Sequence, residues 1–341
     1  MGGVGHNSLE GQPQVSIRSV KSMGIRKKRW LTPRKKWLIL VLVIFVVIGS
    51  VLYGLANRYL IRHVEAVVPS TTSTKTSSSS SGTAGTVQAK SDDWDYESDN
   101  IKIHINQVQK GSGSDQITYY VADVQVKDAG SLLSAFADNS FGRNITENTS
   151  EIASANDALF AINGDYYGFR SDGVIIRNGT LYRNEPARTG LALFNDGSME
   201  SYDETKVSAD ALLKRGVTQT LSFGPTLIQK GKVNTDLDHV EIDTNFGNRS
   251  IQDANPRTGI GLISKNHYVF VVVDGRKEGY SRGMTLNEFA QLFQELGATE
   301  AYNLDGGGSS TMYFKGRVVN NPQGRNRERG VSDILYVKEV N

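Results

Sequence analysis

Asn303-Leu304-Asp305-Gly306-Gly307-Gly308-Ser309-Ser310-Thr311-Met312-Tyr313 is the stretch from which the rest of the chain can be read. An apolar segment, Ala301 to Leu304, ends in one carboxylate, three glycines and then hydroxyl side chains. Consecutive glycines accept φ > 0 and bring their N–H groups close to a ligand, which makes a concave nest for an anion with Asp305 at its rim. A Gly/Ser linker has a similar composition, but this stretch lies between a helix-plus-strand pattern and a second apolar segment, Thr311 to Phe314. No Lys follows the glycines and the next residues read as strand, so the loop is not a nucleotide P-loop.

Upstream of the loop, Thr285 and Glu288 form a capping-box pair. Leu286, Phe289, Ala290, Phe293 and Leu296 follow at helical spacing, and Gly297 closes the end. Alternation in Ile101–Ile105 and in Tyr119–Val126 predicts strands, and Ile145–Ala155 predicts a helix feeding a strand at Ala158–Ile162. A strand, a tight glycine turn, a strand and an Arg-bearing loop recur three times, which would place Arg188, Arg257 and Arg329 at equivalent positions. Together these patterns predict an α+β fold of mixed, strand-rich sheets with a few packed helices.

Four segments make up the chain of 341 residues. Residues 1–36 are polar and basic and form an expected cytoplasmic tail. Trp37–Asn57 carries no charge over 21 residues, of which 14 are Leu, Ile, Val or Phe. At about −0.3 to −0.6 kcal/mol each these contribute roughly −4 to −8 kcal/mol toward insertion, and the length matches a bilayer core. The basic flank on the N-terminal side predicts a single-pass signal anchor with the C-terminal domain outside the cell membrane. A cleaved signal peptide is the competing reading, although its apolar region would be shorter. Residues 58–90 are expected to be an extracytoplasmic stalk because of their Ser/Thr tract, and 91–341 a catalytic domain.

Of 38 Lys and Arg, 13 fall in the first 90 residues, against two of the 36 acidic residues. The remaining 25 basic and 34 acidic residues give the globular part a net charge near −9, which argues against a nucleic-acid partner. Cysteine is absent, which excludes disulfides, thiolate metal sites and a Cys nucleophile. The five His show no paired ligand spacing, so neither a metal site nor a cofactor is expected, and no Gly-x-Ser-x-Gly elbow supports serine hydrolase chemistry.

Four loops end apolar segments with polar residues: Asn163-Gly164-Asp165, Pro256-Arg257-Thr258-Gly259, Asp274-Gly275-Arg276 and the glycine loop. Each Asx-Gly pair taken singly reads as a β-turn. Taken together they supply carboxylates and a guanidinium, the groups needed to break a glycosyl-phosphate bond. One carboxylate acts as nucleophile or base, another as acid or as stabiliser of an oxocarbenium-like transition state, while Arg holds the phosphodiester.

With Asn163-Gly164-Asp165-Tyr166, Gly224-Pro225, Pro256-Arg257-Thr258-Gly259, Val273-Asp274-Gly275-Arg276 and Asn303-to-Ser309 in this order, the stretch from Ile145 to Val337 resembles the phosphodiester glycosidase family. Its best-known member is the lysosomal enzyme that removes N-acetylglucosamine from mannose 6-phosphate. The resemblance implies hydrolysis of a sugar-1-phosphodiester at the glycosidic side, in cell-envelope or exopolysaccharide metabolism. It implies Asp305 and Asp274 as leading catalytic carboxylates, with Asp165 third. Arg257 would bind phosphate, Gly306, Gly307 and Ser309 would form the nest, and Asn163 and Asn303 would orient the substrate; the three-fold repeat, separately, makes Arg329 a further candidate anion clamp. Two other readings use the same pocket: a non-catalytic envelope module binding a phosphate-containing glycopolymer, and a glycosyl-phosphate transferase.

Overall fold

The strand His267–Val273 alternates strictly, and both of its faces are buried. Tyr268, Phe270 and Val272 enter one apolar cluster, while Val269, Val271 and Val273 enter another. A two-residue period on a sheet that is covered on both sides has this consequence. The computed structural model describes residues 32–68, 90–242 and 250–338.

His267–Val273 lies at the centre of a nine-stranded sheet. From one edge the order is Lys232–Val233, Thr226–Gln229, Glu300–Asn303, Arg257–Ser264, His267–Val273, Ile117–Val126, Ile101–Lys110, Asp95–Glu97 and Lys90–Ser91, and the paired neighbours run antiparallel. A five-stranded antiparallel sheet faces it, in the order Arg317–Val318, Met312–Phe314, Phe160–Asn163, Asp333–Val337 and Leu132–Phe136. The main core fills the space between them, with Phe160 against Phe270 at 5.1 Å between ring centroids.

Helices cover the outer faces. Leu286–Glu295 seals the nine-stranded sheet through Phe289 and Phe293, and Thr149–Ala155 seals the other sheet through Ile152 and Ala153. In the former, the Thr285 hydroxyl accepts from the Glu288 N–H at 3.2 Å and the Glu288 carboxylate accepts from the Thr285 N–H at 2.8 Å, which is the capping box read from the sequence. The helix expected from Ile145 starts later, because Asn148 is its cap and Glu147 pairs with Val331 instead. A three-stranded sheet, Met199–Asp203, Thr189–Phe194 and Val217–Leu221, completes the main layers with the short helix Ala209–Lys214.

All three expected glycine turns close two-residue hairpins. Asn178-Gly179, Lys230-Gly231 and Lys315-Gly316 have positive φ at both residues, which suits the twist of tight hairpins.

The chain falls into two compact units, Met1–Gly54 and Leu55–Asn341. Trp37–Asn57 lies within a 27-residue helix, Pro33–Tyr59, whose apolar side chains are exposed. At 1.5 Å per residue the helix is about 40 Å long, and it is long and apolar enough to cross a membrane. Most of the expected tail lies outside the described residues, as do residues 69–89 of the expected stalk. Part of the segment expected as stalk is a strand. His63–Val67 is a strand paired with Ser140–Arg143, and Ala66 packs on the cluster of Phe136, Phe141 and Tyr167.

Candidate active site

Three strand ends meet at the glycine loop, and one buried amide ties them together. The Asn163 Nδ2 donates to the Asp305 carbonyl at 2.7 Å, while its Oδ1 accepts from the Thr258 hydroxyl at 2.7 Å and the Thr311 N–H at 3.2 Å. Asn163 is wholly buried and its hydrogen bonds are spent on the protein. Asn303 has a similar place: its Nδ2 donates to the Gly224 carbonyl at 2.8 Å and its N–H to Pro225 at 3.0 Å. Both side-chain amides donate to backbone that carries the site, while the buried Asn303 Oδ1 has no hydrogen-bond partner.

Asp305 opens into a pocket lined by Tyr166, Phe223, Arg257, Arg276, Gly306 and Arg329, among others. Its side chain is about 10% exposed, and burial raises its pKa above the ordinary carboxylate value. Arg329 opposes that rise, with its guanidinium 3.3 Å from Asp305 Oδ2. The Arg329 Nη2 and Nε also donate to Ser309 Oγ, at 2.7 and 3.1 Å, so one guanidinium bridges the hydroxyl and the carboxylate. Carboxylate, hydroxyl and guanidinium thus form one fixed unit.

The nest is only partly available to a ligand. The Gly307 N–H donates to the Pro256 carbonyl and the Ser309 N–H to Gly306. What the glycines provide is close approach. Gly307 has φ +64, and a Cβ there would stand 3.0 Å from the Arg276 guanidinium.

Arg257 lines the pocket, but its Nε donates to Met284 O and its Nη2 to Ile251 O and Asp253 O. Burial, with Arg276 nearby, lowers its pKa to about 10. Of the three repeat arginines, Arg257 and Arg329 reach the pocket; Arg188 instead bonds Asp172 and Ser222.

The other two carboxylates stand elsewhere. Asp274 accepts from the Tyr280 hydroxyl at 2.7 Å, from Asn320 Nδ2 at 2.8 Å and from the Asn321 N–H at 3.0 Å. It does not line the pocket; it fastens its own turn to the 320–321 loop. Burial raises its pKa, against those three hydrogen bonds. Asp165 is 3% exposed and accepts from the Ser222 and Tyr166 N–H groups at 2.6 and 2.7 Å. Buried Arg177 lies between Asp165, at 3.7 Å, and Asp333, at 2.7 Å, so Asp165 belongs to an internal ionic cluster behind the site.

Arg170 and Phe223 lie outside the sequence motifs. Arg170 stacks over Tyr166 and Phe223, with its charged carbon 5.1 and 5.2 Å from the ring centroids, and its charge acts on Asp305. Tyr166 and Phe223 present aromatic surface suited to a sugar face. No group of three or more His, Asp or Glu among the described residues is arranged to hold a metal.

A model of the phosphodiester glycosidase family matches residues 156–338, more than half of the chain, a stretch that includes Asp305 and its partners. The chain belongs to the phosphodiester glycosidase family. It is similar to the SPbeta prophage-derived uncharacterized protein YomE of Bacillus subtilis, with 32% identity over 206 residues, 58% of this chain and 30% of that protein. It is also similar to the N-acetylglucosamine-1-phosphodiester alpha-N-acetylglucosaminidases of Bos taurus and Homo sapiens. Identity is 32% over 28% of this chain and 19% of the bovine protein, and 29% over 37% of this chain and 25% of the human protein. The chain thus matches less than a third of the length of each of these relatives. The fold is similar to the catalytic domain of the zebrafish N-acetylglucosamine-1-phosphodiester alpha-N-acetylglucosaminidase, solved in a form auto-inhibited by its pro-peptide. The TM-score is 0.57 at 22% identity, over 71% of this chain and 85% of that one. Within this phosphodiester glycosidase fold, the pocket around Asp305 is the candidate active site.

Proposed function

We propose that this family member hydrolyses the glycosidic bond of a sugar-1-phosphodiester, with Asp305 as the reacting carboxylate. The observation that carries the reading is Asp305 itself: the acidic residue in a pocket walled by Arg257, Arg276 and Arg329, joined to Arg329 and Ser309. A carboxylate with a raised pKa is a stronger base than an exposed one. It takes a proton from water as the water oxygen bonds to the anomeric carbon. The bond from that carbon to the phosphate oxygen breaks, and its electron pair leaves with the phosphate. The guanidinium groups neutralise the departing monoester, so a second carboxylic acid is not required. Tyr166 and Phe223 support the sugar ring.

In this reading the enzyme acts on the cell envelope or its exopolysaccharide, held outside the membrane by the Pro33–Tyr59 helix. The basic sequence preceding that helix supports the orientation. The test is incubation of the full-length chain in detergent with UDP-N-acetylglucosamine and the methyl-phosphate diester of N-acetylglucosamine. Free sugar with a phosphate monoester supports the reading. Saturable binding without product points to a binding module, and product only with an added acceptor alcohol points to a transferase.

A further inference from the structure

Beside the Asp305 pocket lies a second cavity of about 460 Å³, lined by Arg143, Asn144, Phe169, Arg170, Asp172 and Arg188, among others. Ile242 lines both cavities. Arg170 is the partition between them: it stacks over Tyr166 and Phe223 on the Asp305 side and also lines the second cavity. Three of the six named residues are guanidinium-bearing, and one is an acid.

These cations are set in place. Arg188 donates to Ser222 Oγ at 2.9 Å and to Asp172 at 2.7 Å, and its pKa is raised by Asp172 against burial. Arg170 donates to the Ser222 and Ile242 carbonyls at 3.3 and 3.2 Å. Arg143 is more loosely held, with the Glu65 carboxylate 4.0 Å from its Nε and its side chain 38% exposed. Asp172 pairs with Arg188 and Glu65 lies near Arg143, so Arg170 has no ion-pair partner among the described residues, and Arg58 also lines the cavity. A cavity of this size with excess guanidinium charge suits a phosphate or phosphodiester, which Arg binds through two parallel hydrogen bonds.

We propose that the Arg143–Arg170–Arg188 cavity is a second anion subsite, which takes the neighbouring phosphodiester of a substrate whose phosphates repeat. The proposal rests on the assignment of the Asp305 pocket to a sugar-1-phosphodiester. It narrows the substrate class to a polyanionic glycopolymer, because a lone sugar phosphodiester has nothing to place beyond the Arg170 partition.

The experiment uses the full-length chain in detergent and N-acetylglucosamine-1-phosphodiesters ending in methyl or in one, two or three glycerol-phosphate units. Binding is followed by calorimetry and turnover by released sugar, for wild type, Arg143→Ala and Arg143→Lys. Arg143 is outside the reacting pocket and partly exposed, so its replacement leaves the fold and the methyl diester unaffected. At least one longer ester is expected to bind about tenfold more tightly than the methyl diester, in line with one charge-assisted contact. Arg143→Ala removes that gain and Arg143→Lys restores part of it. Inorganic phosphate that competes with the longer ester more strongly in wild type than in Arg143→Ala assigns the gain to phosphate rather than to glycerol. Equal affinity across the series, or a gain that survives in Arg143→Ala, overturns the subsite while turnover of the methyl diester leaves the proposed activity standing. A gain that depends on Arg143, with no sugar released from any ester, supports the subsite and overturns the hydrolase reading instead.

Discussion

Asn163→Ala separates a clamp from a substrate contact. The side chain is wholly buried and joins the Asp305 carbonyl, the Thr258 hydroxyl and the Thr311 N–H. Its loss leaves three polar groups without their partner. At roughly 1–3 kcal/mol for each buried group left unpaired, and with water re-entering part of the space, the expected cost is about 2–5 kcal/mol. For a domain of this size that corresponds to a fall in Tm of roughly 4–20 °C. Because the same amide fixes Asp305, turnover falls as well, and kcat falls more than KM rises. Thermal unfolding followed by tryptophan fluorescence reads the first effect and initial rates of sugar release read the second. A variant with unchanged Tm and a raised KM alone would refute the clamp and return Asn163 to the substrate.

Three further perturbations test the arrangement. Asp274→Asn removes a carboxylate that fastens Tyr280, Asn320 and Asn321, so stability is expected to drop by about 1–3 kcal/mol while kcat stays within about threefold; loss of kcat at unchanged stability would place Asp274 in the reaction. Burial pushes Asp333 up to about 6, so the folded chain keeps a proton between about pH 4 and 6 that the unfolded chain, with an ordinary value near 3.9, has released. This group's contribution is therefore present below about pH 4 and lost as pH rises through about 6, at most roughly 3 kcal/mol, and Asp333→Asn should flatten that part of the stability–pH curve; parallel curves would contradict it. Gly307→Ala forces a Cβ at φ +64 to within 3.0 Å of Arg276, with an expected loss of about 1–2 kcal/mol and lower activity, and a stable, fully active variant would show that the Arg276 side chain gives way without cost.

Local signals carried the fold well. The Thr285–Glu288 box, the alternation of Ile101–Ile105 and the three glycine turns depend on residues close in sequence, and each forms as its chemistry requires. The site was legible only in part, because Asp305 and Asp274 look alike in sequence: each ends an apolar segment and is followed by glycine. What differs is what stands opposite. Asn320 and Asn321 cover Asp274, whereas Asp305 faces a pocket, and neither neighbour is close in the chain. Asp165 is drawn inward by Arg177, whose buried charge needs both Asp165 and Asp333. Arg170 went unnoticed because its significance comes from Tyr166 and Phe223, one of which is more than fifty residues away. A cation four residues beyond an aromatic in a site motif was the available signal.

The central claim is that Asp305 directs water to the sugar carbon and not to phosphorus. Turnover of the methyl-phosphate diester in ¹⁸O-water, with wild type and Asp305→Asn side by side, tests it most directly. The account predicts label in the released sugar at its anomeric hydroxyl, none in the phosphate monoester, and no product from a folded Asp305→Asn chain. Label in the phosphate, or wild-type rates in Asp305→Asn, would contradict it.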